Sequence, residues 1–394
     1  MSVAPGAARA RVAVTTVFAL NGLIMATWIS RIPAIRDDLG LSSSSIGLIL
    51  LAMSGGAVLA LPLTGAVVIR LGAAGTVRVG SVVCVSGLLL VGLAGSVQML
   101  VPGLFLVGFG SGAWDVSMNV EGAEVERRLG RAIMPHFHAA FSIGTVVGAL
   151  VGAAANAAGV STAVHLAVIA VLAGGLTQVA CGSFLPEAEV VAALTHEEKP
   201  KRRNPLEAWL EPRTLAVGLL VLAFAFTEGS ANDWLALAFR DGYGVSNANA
   251  VLGFAIFVSS MTVGRLVGTR LLDRYGRVLV LRGTALLAAC GLLLVIVGGS
   301  VAVAAVGAVL WGLGASLGFP VGMSAAADDP EHAAARVSVV ASIGYTAFLA
   351  GPPLIGFLAD HVGVLDALYV VLGALVLGML VVAAAREPVP ERSP

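Results

Sequence analysis

Residues 264–277 read Gly264-Arg265-Leu266-Val267-Gly268-Thr269-Arg270-Leu271-Leu272-Asp273-Arg274-Tyr275-Gly276-Arg277. The stretch closes one long apolar run, 248–271, and opens another, 278–298. A helix needs about 20 apolar residues to cross a bilayer, so the charged residues form a tight turn between two membrane spans. Outward from this turn come ten more such runs, at 12–33, 46–69, 77–95, 99–124, 135–157, 162–184, 214–238, 301–326, 336–359 and 364–385. The chain of 394 residues is 58% apolar and 12% charged, with a mean hydropathy of +0.96. A soluble domain is about 25% charged, so too few charges are present to cover a water-facing surface. That excludes an ordinary soluble enzyme, and the hydrophobicity excludes disorder. Lys plus Arg equals Asp plus Glu at 23 each, which gives no pull toward nucleic acid.

Cytoplasmic loops carry an excess of Lys and Arg. With both termini inside, 19 of these residues fall on the cytoplasmic side and 3 outside, namely Arg31, Arg36 and Arg240, while Arg265 lies within a span. The long polar stretch 186–212 holds His196-Glu197-Glu198-Lys199-Pro200-Lys201-Arg202-Arg203. It reads as a cytoplasmic linker between an N-terminal bundle, 1–185, and a C-terminal bundle, 213–394. The halves repeat each other. Arg36-Asp37-Asp38-Leu39-Gly40-Leu41-Ser42 matches Arg240-Asp241-Gly242-Tyr243-Gly244-Val245-Ser246 at an offset of 204. At that offset Gly72, Gly108 and Gly110 meet Gly276, Gly312 and Gly314, and Ser142-Ile143-Gly144 matches Ser342-Ile343-Gly344 at 200. Parallel six-helix repeats are a transporter architecture.

The stretch 264–277 resembles the signature loop of the major facilitator superfamily, Gly-x-x-x-Asp-Arg-x-Gly-Arg, with Thr269 at the usual first Gly, beside Gly268. Its counterpart, Gly65 to Gly72, keeps Arg70 and Gly72 but has Ile69 at the Asp position. Three further segments carry a narrower likeness: Asn21-Gly22 through Trp28-x-x-Arg31-Ile32-Pro33, Trp114-Asp115-Val116-Ser117-Met118-Asn119-x-x-Gly122, and Phe137-His138-x-x-Phe141-Ser142-x-Gly144. They look like the bacterial branch that contains the rhizopine-transport membrane protein, near the fucose permeases. The resemblance implies an all-α integral membrane protein of twelve transmembrane helices, its six-helix halves related by pseudo-two-fold symmetry. It also implies that spans 1, 4, 7 and 10 line a central cavity. Sugar-like, inositol-like or other polyol solutes, carried with protons, are what that branch is expected to move.

An ionisable residue at the bilayer centre costs on the order of 2.5–3.5 kcal/mol, so each one needs a reason. Asp115 is placed about 15 Å from the cytoplasmic end of span 4, at 1.5 Å per residue. Asn119 follows one turn later, and Asn21 on span 1 is expected at similar depth. Two readings fit Asp115: a carboxylate that accepts solute hydroxyls or a proton, and an amide-paired acid that pins spans 1 and 4. Glu228 on span 7, with Asn232 at i+4, reads either as a solute contact and proton-coupling acid or as a paired acid at an outer gate. Gly229 and Ser230 are expected to loosen the helix there. His138, near the start of span 5, is a candidate proton-relay group or a packing histidine, and His136 an incidental neighbour. Glu121, Glu124 and Glu126, beside Arg127, Arg128 and Arg131, form a solvated or gate-linked cluster. Trp28, Trp114, Trp234 and Trp311 fall on the expected cavity helices. Trp114 and Trp311 are assigned to the solute, whereas Trp28 and Trp234 also suit an interfacial belt. Trp28 is kept among the candidate solute contacts, and Tyr345 on span 11 completes them.

At the cytoplasmic gate the candidates are Asp273, Arg274, Gly276, Arg277 and Arg336. The resemblance implies that the signature Asp holds the inner side closed, and Asp273 is expected to dock at the start of span 11, beside Arg336. With Ile69 opposite, the lock is expected to be one-sided. No Gly-x-x-x-x-Gly-Lys-Ser/Thr loop and no cluster with metal spacing occurs, so no ATP, metal or other cofactor is expected, only a proton gradient. Cys84, Cys181 and Cys290 read as buried small hydrophobes. The first apolar run continues into Arg31-Ile32-Pro33 rather than a cleavage site, so it is read as a retained span. The expected protein is not an enzyme. It is a multi-pass transporter of the bacterial cytoplasmic (inner) membrane, with both termini cytoplasmic, a monomer whose partners are the lipid bilayer and a small-molecule solute, with no nucleic acid. The alternative is a proton-coupled exporter of drugs or metabolites.

Overall fold

The structure, a computed structural model, describes residues 5–41, 43–186, 205–245 and 247–387. The polar stretch His196–Arg203, Ser42, Ser246 and Arg392 lie outside the described residues. The first half contains α1 (Pro5–Ile29), α2 (Ile32–Asp38), α3 (Ser43–Gly92), α4 (Val97–Leu129), α5 (Met134–Ala157) and α6 (Thr162–Ala180). The second contains α7 (Pro212–Leu237), α8 (Asn247–Tyr275), α9 (Arg277–Val297), α10 (Val301–Ala315), α11 (Gly318–Ala326), α12 (Ala333–Val362), α13 (Val364–Ala367) and α14 (Tyr369–Val381). No strand occurs among the described residues.

Among the described residues, eleven stretches are long and apolar enough to cross a membrane, and one of them, Leu51–Gly92, has 42 residues. At 1.5 Å per residue that stretch is about twice the thickness of a bilayer core. It is two spans, because Gly72 inside it has φ 69 and ψ 170. Among the described residues that makes twelve membrane-length spans. Gly276 makes the equivalent turn between α8 and α9 with φ 73. A positive φ is nearly free for glycine and costly for other residues.

The offset of 204 extends to the packing. A methyl group placed on Gly108 would strike the carbonyl of Met53, and one on Gly312 that of Phe257. Gly110 lies against Gly80 and Cys84, and Gly314 against Thr284 and Ala288. Gly87 lies against Gly103 and Val107, and Gly291 against Gly307 and Trp311. Each partner in the second half is the first-half partner shifted by 204. Small residues let membrane helices approach closely where no hydrophobic drive separates protein from lipid. The repeat is thus one helix-contact pattern used twice.

Two local expectations change. Gly229 and Ser230 do not loosen span 7: α7 runs unbroken through both, Ser230 Oγ donating to the carbonyl of Phe226. The break is in span 10, between α10 and α11. Pro320 has no N–H to offer the carbonyl of Ser316 four residues earlier, and its ring crowds that carbonyl. Of the cysteines, Cys84 and Cys181 are buried, but Cys290 is exposed.

The chain forms two compact units. The first comprises Met1–Gly130, Phe137–Pro205 and Pro330–Ser338, and the second Arg131–His136, Leu206–Asp329 and Val339–Pro394. Each unit thus includes a short segment from the other half of the sequence. In the first, Ser338 Oγ donates to the carbonyl of Leu61, and Gly65 leaves room for Ser338 and Ala334. In the second, the amide of Ala132 donates to Asp273 Oδ1 at 2.7 Å. His136 Nε2 lies 3.2 Å from the carbonyl of Leu266 and 3.3 Å from Thr269 Oγ1.

Candidate functional site

In the first unit one face of α4 carries Ser111, Asp115 and Asn119 at intervals of one turn, all buried. Asn119 Nδ2 donates to the carbonyl of Asp115 at 2.8 Å and to its Oδ1 at 3.3 Å. Asn119 Oδ1 lies 3.1 Å from His138 Nε2 on α5. A carboxamide oxygen only accepts, so Nε2 must carry the imidazole proton in this contact. His138 is wedged edge-on against Phe18 of α1, with centroids 5.1 Å apart, and Ser142 Oγ donates to its carbonyl. Asn21 joins from α1: its Oδ1 accepts a long bond, 3.4 Å, from Ser111 Oγ. Asn21 Nδ2 is buried and has no hydrogen-bond partner among the described residues. Spans 1, 4 and 5 thus share a polar cluster of two links, Asn21–Ser111 and, one turn on along α4, Asp115–Asn119–His138. Its direction is fixed: Asn119 gives to the acid and receives from the histidine. Asn21 is tied to Ser111, one turn from Asp115, rather than to Asp115 as expected.

The second unit is built differently. Arg265 Nη2 lies 2.9 Å from Glu228 Oε2, the guanidinium side chain 5% and the carboxylate 16% exposed. Arg265 Nε also donates to the carbonyl of Ser316 at 3.4 Å, the one that Pro320 releases. A buried charge requires a partner and further hydrogen bonds, and the break in span 10 supplies one of them. Asn232 is exposed, and Tyr345 is half-buried between Phe319 and Phe348.

The tryptophans of spans 1, 4 and 10 lie inside the protein. Trp28, Trp114 and Trp311 are each fully buried, and Trp311 packs edge-on against Phe257 with centroids 5.5 Å apart. A ring that stacks on a solute needs open surface, which Trp114 and Trp311 lack in this conformation. Glu121 is also not solvated: it is buried and accepts the amide of Leu185 at 2.7 Å. Glu124 binds Arg127 and Arg128 at 2.6 and 2.8 Å.

At the other candidate gate Asp273 docks ahead of the fifth span, on Ala132, instead of the start of span 11 beside Arg336. The reason is the segment Arg131–His136, which belongs to the second unit and lies against α8. His136, read as incidental, is one of its anchors. Arg274 stacks over Tyr275 at 5.2 Å. Arg277 binds Asp328 at 2.6 Å and Ser324 Oγ at 2.8 Å, and Arg213 reaches the same Asp328. Asp328 was not singled out from the sequence, and its only signal there is an acid beside Asp329 and Pro330 at the end of span 10.

Arg31, counted with the outer loops, is buried as well. Its Nε donates to His165 Nδ1 at 2.8 Å, and its Nη1 to Asn156 Oδ1 at 3.3 Å.

Twelve apolar crossings, a doubled helix-contact pattern and buried polar groups at membrane depth define a multi-pass membrane transporter. The family model described as Major Facilitator Superfamily matches residues 14–346 and 254–394. The chain belongs to that superfamily, whose members are transporters and not enzymes. It is 34% identical over 344 residues to the uncharacterized transporter y4wD of Sinorhizobium fredii, covering 87% of this chain and 89% of that one. An uncharacterized MFS-type transporter of Yersinia pestis is 33% identical over 390 residues, covering 98% and 97%. The membrane protein MosC of Rhizobium meliloti is 26% identical over 382 residues, covering 97% and 90%. The fold is similar to that of the fucose:proton symporter of E. coli, with TM-score 0.76 at 13% identity and coverage of 96% and 98%. It is also similar to the human organic anion transporter MFSD10, with TM-score 0.78 at 16% identity and coverage of 96% and 100%. For the proton:xylose symporter XylE the TM-score is 0.75 at 15% identity, with coverage of 96% and 95%.

Proposed function

We propose that the protein imports a sugar, inositol or similar polyol by proton symport. In this reading it sits in the cytoplasmic membrane of a bacterium as a monomer, both termini inside, driven by the proton gradient without a cofactor. The observation that carries the reading is the polar cluster of the first unit. Asp115 and Asn119 offer buried oxygen acceptors, and Asn21 Nδ2 is a buried donor without a partner among the described residues. Mixed donors and acceptors suit hydroxyl groups. Asp115 is also the one acid among these five polar residues, and its protonation would change what it can accept. Two of the solved structures similar in fold are proton-coupled symporters of fucose and of xylose. Glu228, bonded to Arg265, is read as a paired acid rather than a solute contact.

The test is uptake into proteoliposomes of radiolabelled sugars and inositols, with an inward proton gradient imposed and then collapsed. Import predicts accumulation that vanishes with the gradient. Extrusion of solute under the same gradient would favour the exporter.

A further inference from the structure

We propose that the cytoplasmic rim of the second unit holds a binding pocket for the phosphate headgroup of an anionic phospholipid, with Arg282 and Arg386 as its ligands. A pocket of about 270 Å³ opens there, its lining including Tyr275, Leu279, Arg282, Arg386 and Glu387. Its floor is the turn at Gly276, where an added Cβ would come within 3.6 Å of Glu387 Oε2. Arg277 also lines it, but that charge is engaged by Asp328, with Glu387 3.9 Å from its Nε. Arg282 and Arg386 are exposed, and neither side chain forms an ion pair or hydrogen bond among the described residues. The pocket therefore presents two uncommitted guanidinium groups and one carboxylate that leans toward a third.

The position of Arg282 selects the occupant. On α9 it lies between Leu279 and Leu286, at three and four residues, so all three share one face of the helix. Leu279 is 60% and Leu286 55% exposed, as side chains facing acyl chains would be. Arg282 is five residues into α9, about 7.5 Å from its start. A cation on a lipid-facing stripe at that depth is costly unless it reaches the interface. Arg386 follows directly on the last turn of the twelfth span, which ends at Ala385. The two guanidinium groups thus meet at headgroup level, where the excess of cytoplasmic arginines orients this end inward. Basic pockets between spans on that side bind anionic headgroups. Guanidinium also matches phosphate oxygens in pairs.

The experiment uses the purified full-length protein in detergent, titrated with phosphatidylglycerol or phosphatidylcholine and read by native mass spectrometry. Wild type should retain phosphatidylglycerol in preference to phosphatidylcholine. R282Q/R386Q should bind it about thirtyfold more weakly, from two lost charges. R282K/R386K, which keeps both charges, should retain most of the preference and controls for folding. Equal retention of the two lipids by wild type, or unchanged affinity in R282Q/R386Q, would overturn the proposal. So would full competition by millimolar inorganic phosphate, which would identify the ligand as a soluble phosphate.

Discussion

The two units share a scaffold and bury different chemistry in it. Where the first carries Asp115 and Asn119 on its fourth span, the second carries Phe319 and Met323 at the offset of 204. Where the second carries Glu228 and Arg265, the first carries Ile24 and Leu61, both fully buried. The glycine contacts repeat at every one of the three sites compared, so the backbone pattern does not decide where polarity goes. A buried polar group stays only where partners meet it. In the first unit the partners are amides and a histidine on neighbouring spans. In the second they are an opposite charge and a carbonyl freed by Pro320. The exchanged segments differ likewise: Arg131–His136 is held by the Asp273 carboxylate, whereas Pro330–Ser338 meets a span with Ile69 at that position.

The largest expected effect follows from separating the ion pair. Arg265→Ala leaves the part-buried Glu228 carboxylate without its partner and should destabilise the protein by about 3 kcal/mol, measured by denaturation in detergent. The double variant Glu228→Ile with Arg265→Leu installs the residues of the first unit. Its stability should return to near that of wild type, because an ion pair replaced by packed apolar groups is often neutral. A double variant as unstable as the single would show that the units are not interchangeable there.

Equal scaffolds require equal penalties. Gly110→Ala and Gly314→Ala each press a methyl group into a neighbouring backbone and should cost about 1–3 kcal/mol apiece. A large loss in one with none in the other would confine the shared packing to the geometry of the backbone.

The segment lock gives a smaller effect. Asp273→Ala removes a charge-assisted hydrogen bond to Ala132. It should raise labelling of cysteines on the cytoplasmic side by about tenfold, a shift of about 1.4 kcal/mol. Ile69→Asp should do the opposite by supplying the first unit with the missing acid. Unchanged labelling in both would show that the lock lies in other contacts. His138→Phe deprives the buried Asn119 Oδ1 of its donor and should cost about 1–3 kcal/mol, read by denaturation.

The spans were legible because each is a long apolar run, and the repeat because glycines at fixed spacing mark close helix contacts. Even the break in span 10 had a local sign, Pro320. The partners were not legible. Arg265 and Glu228 are 37 residues apart and Ala132 and Asp273 141 apart, and nothing in either local pattern names the other. The tryptophans were legible only by span: which way an aromatic turns is set by packing that its own span does not encode. Asp115 with Asn119 was the reverse case, one turn apart on one helix, where spacing alone places two groups on one face.

If Asp115 carries the proton for the first unit, its amide should break coupling and leave the pathway intact. The decisive measurement compares, in proteoliposomes of Asp115→Asn, accumulation under a proton gradient with solute exchange at zero gradient. Exchange should persist while accumulation is lost. Accumulation at the wild-type level in Asp115→Asn would place the proton elsewhere and reduce the polar cluster of the first unit to a structural pin.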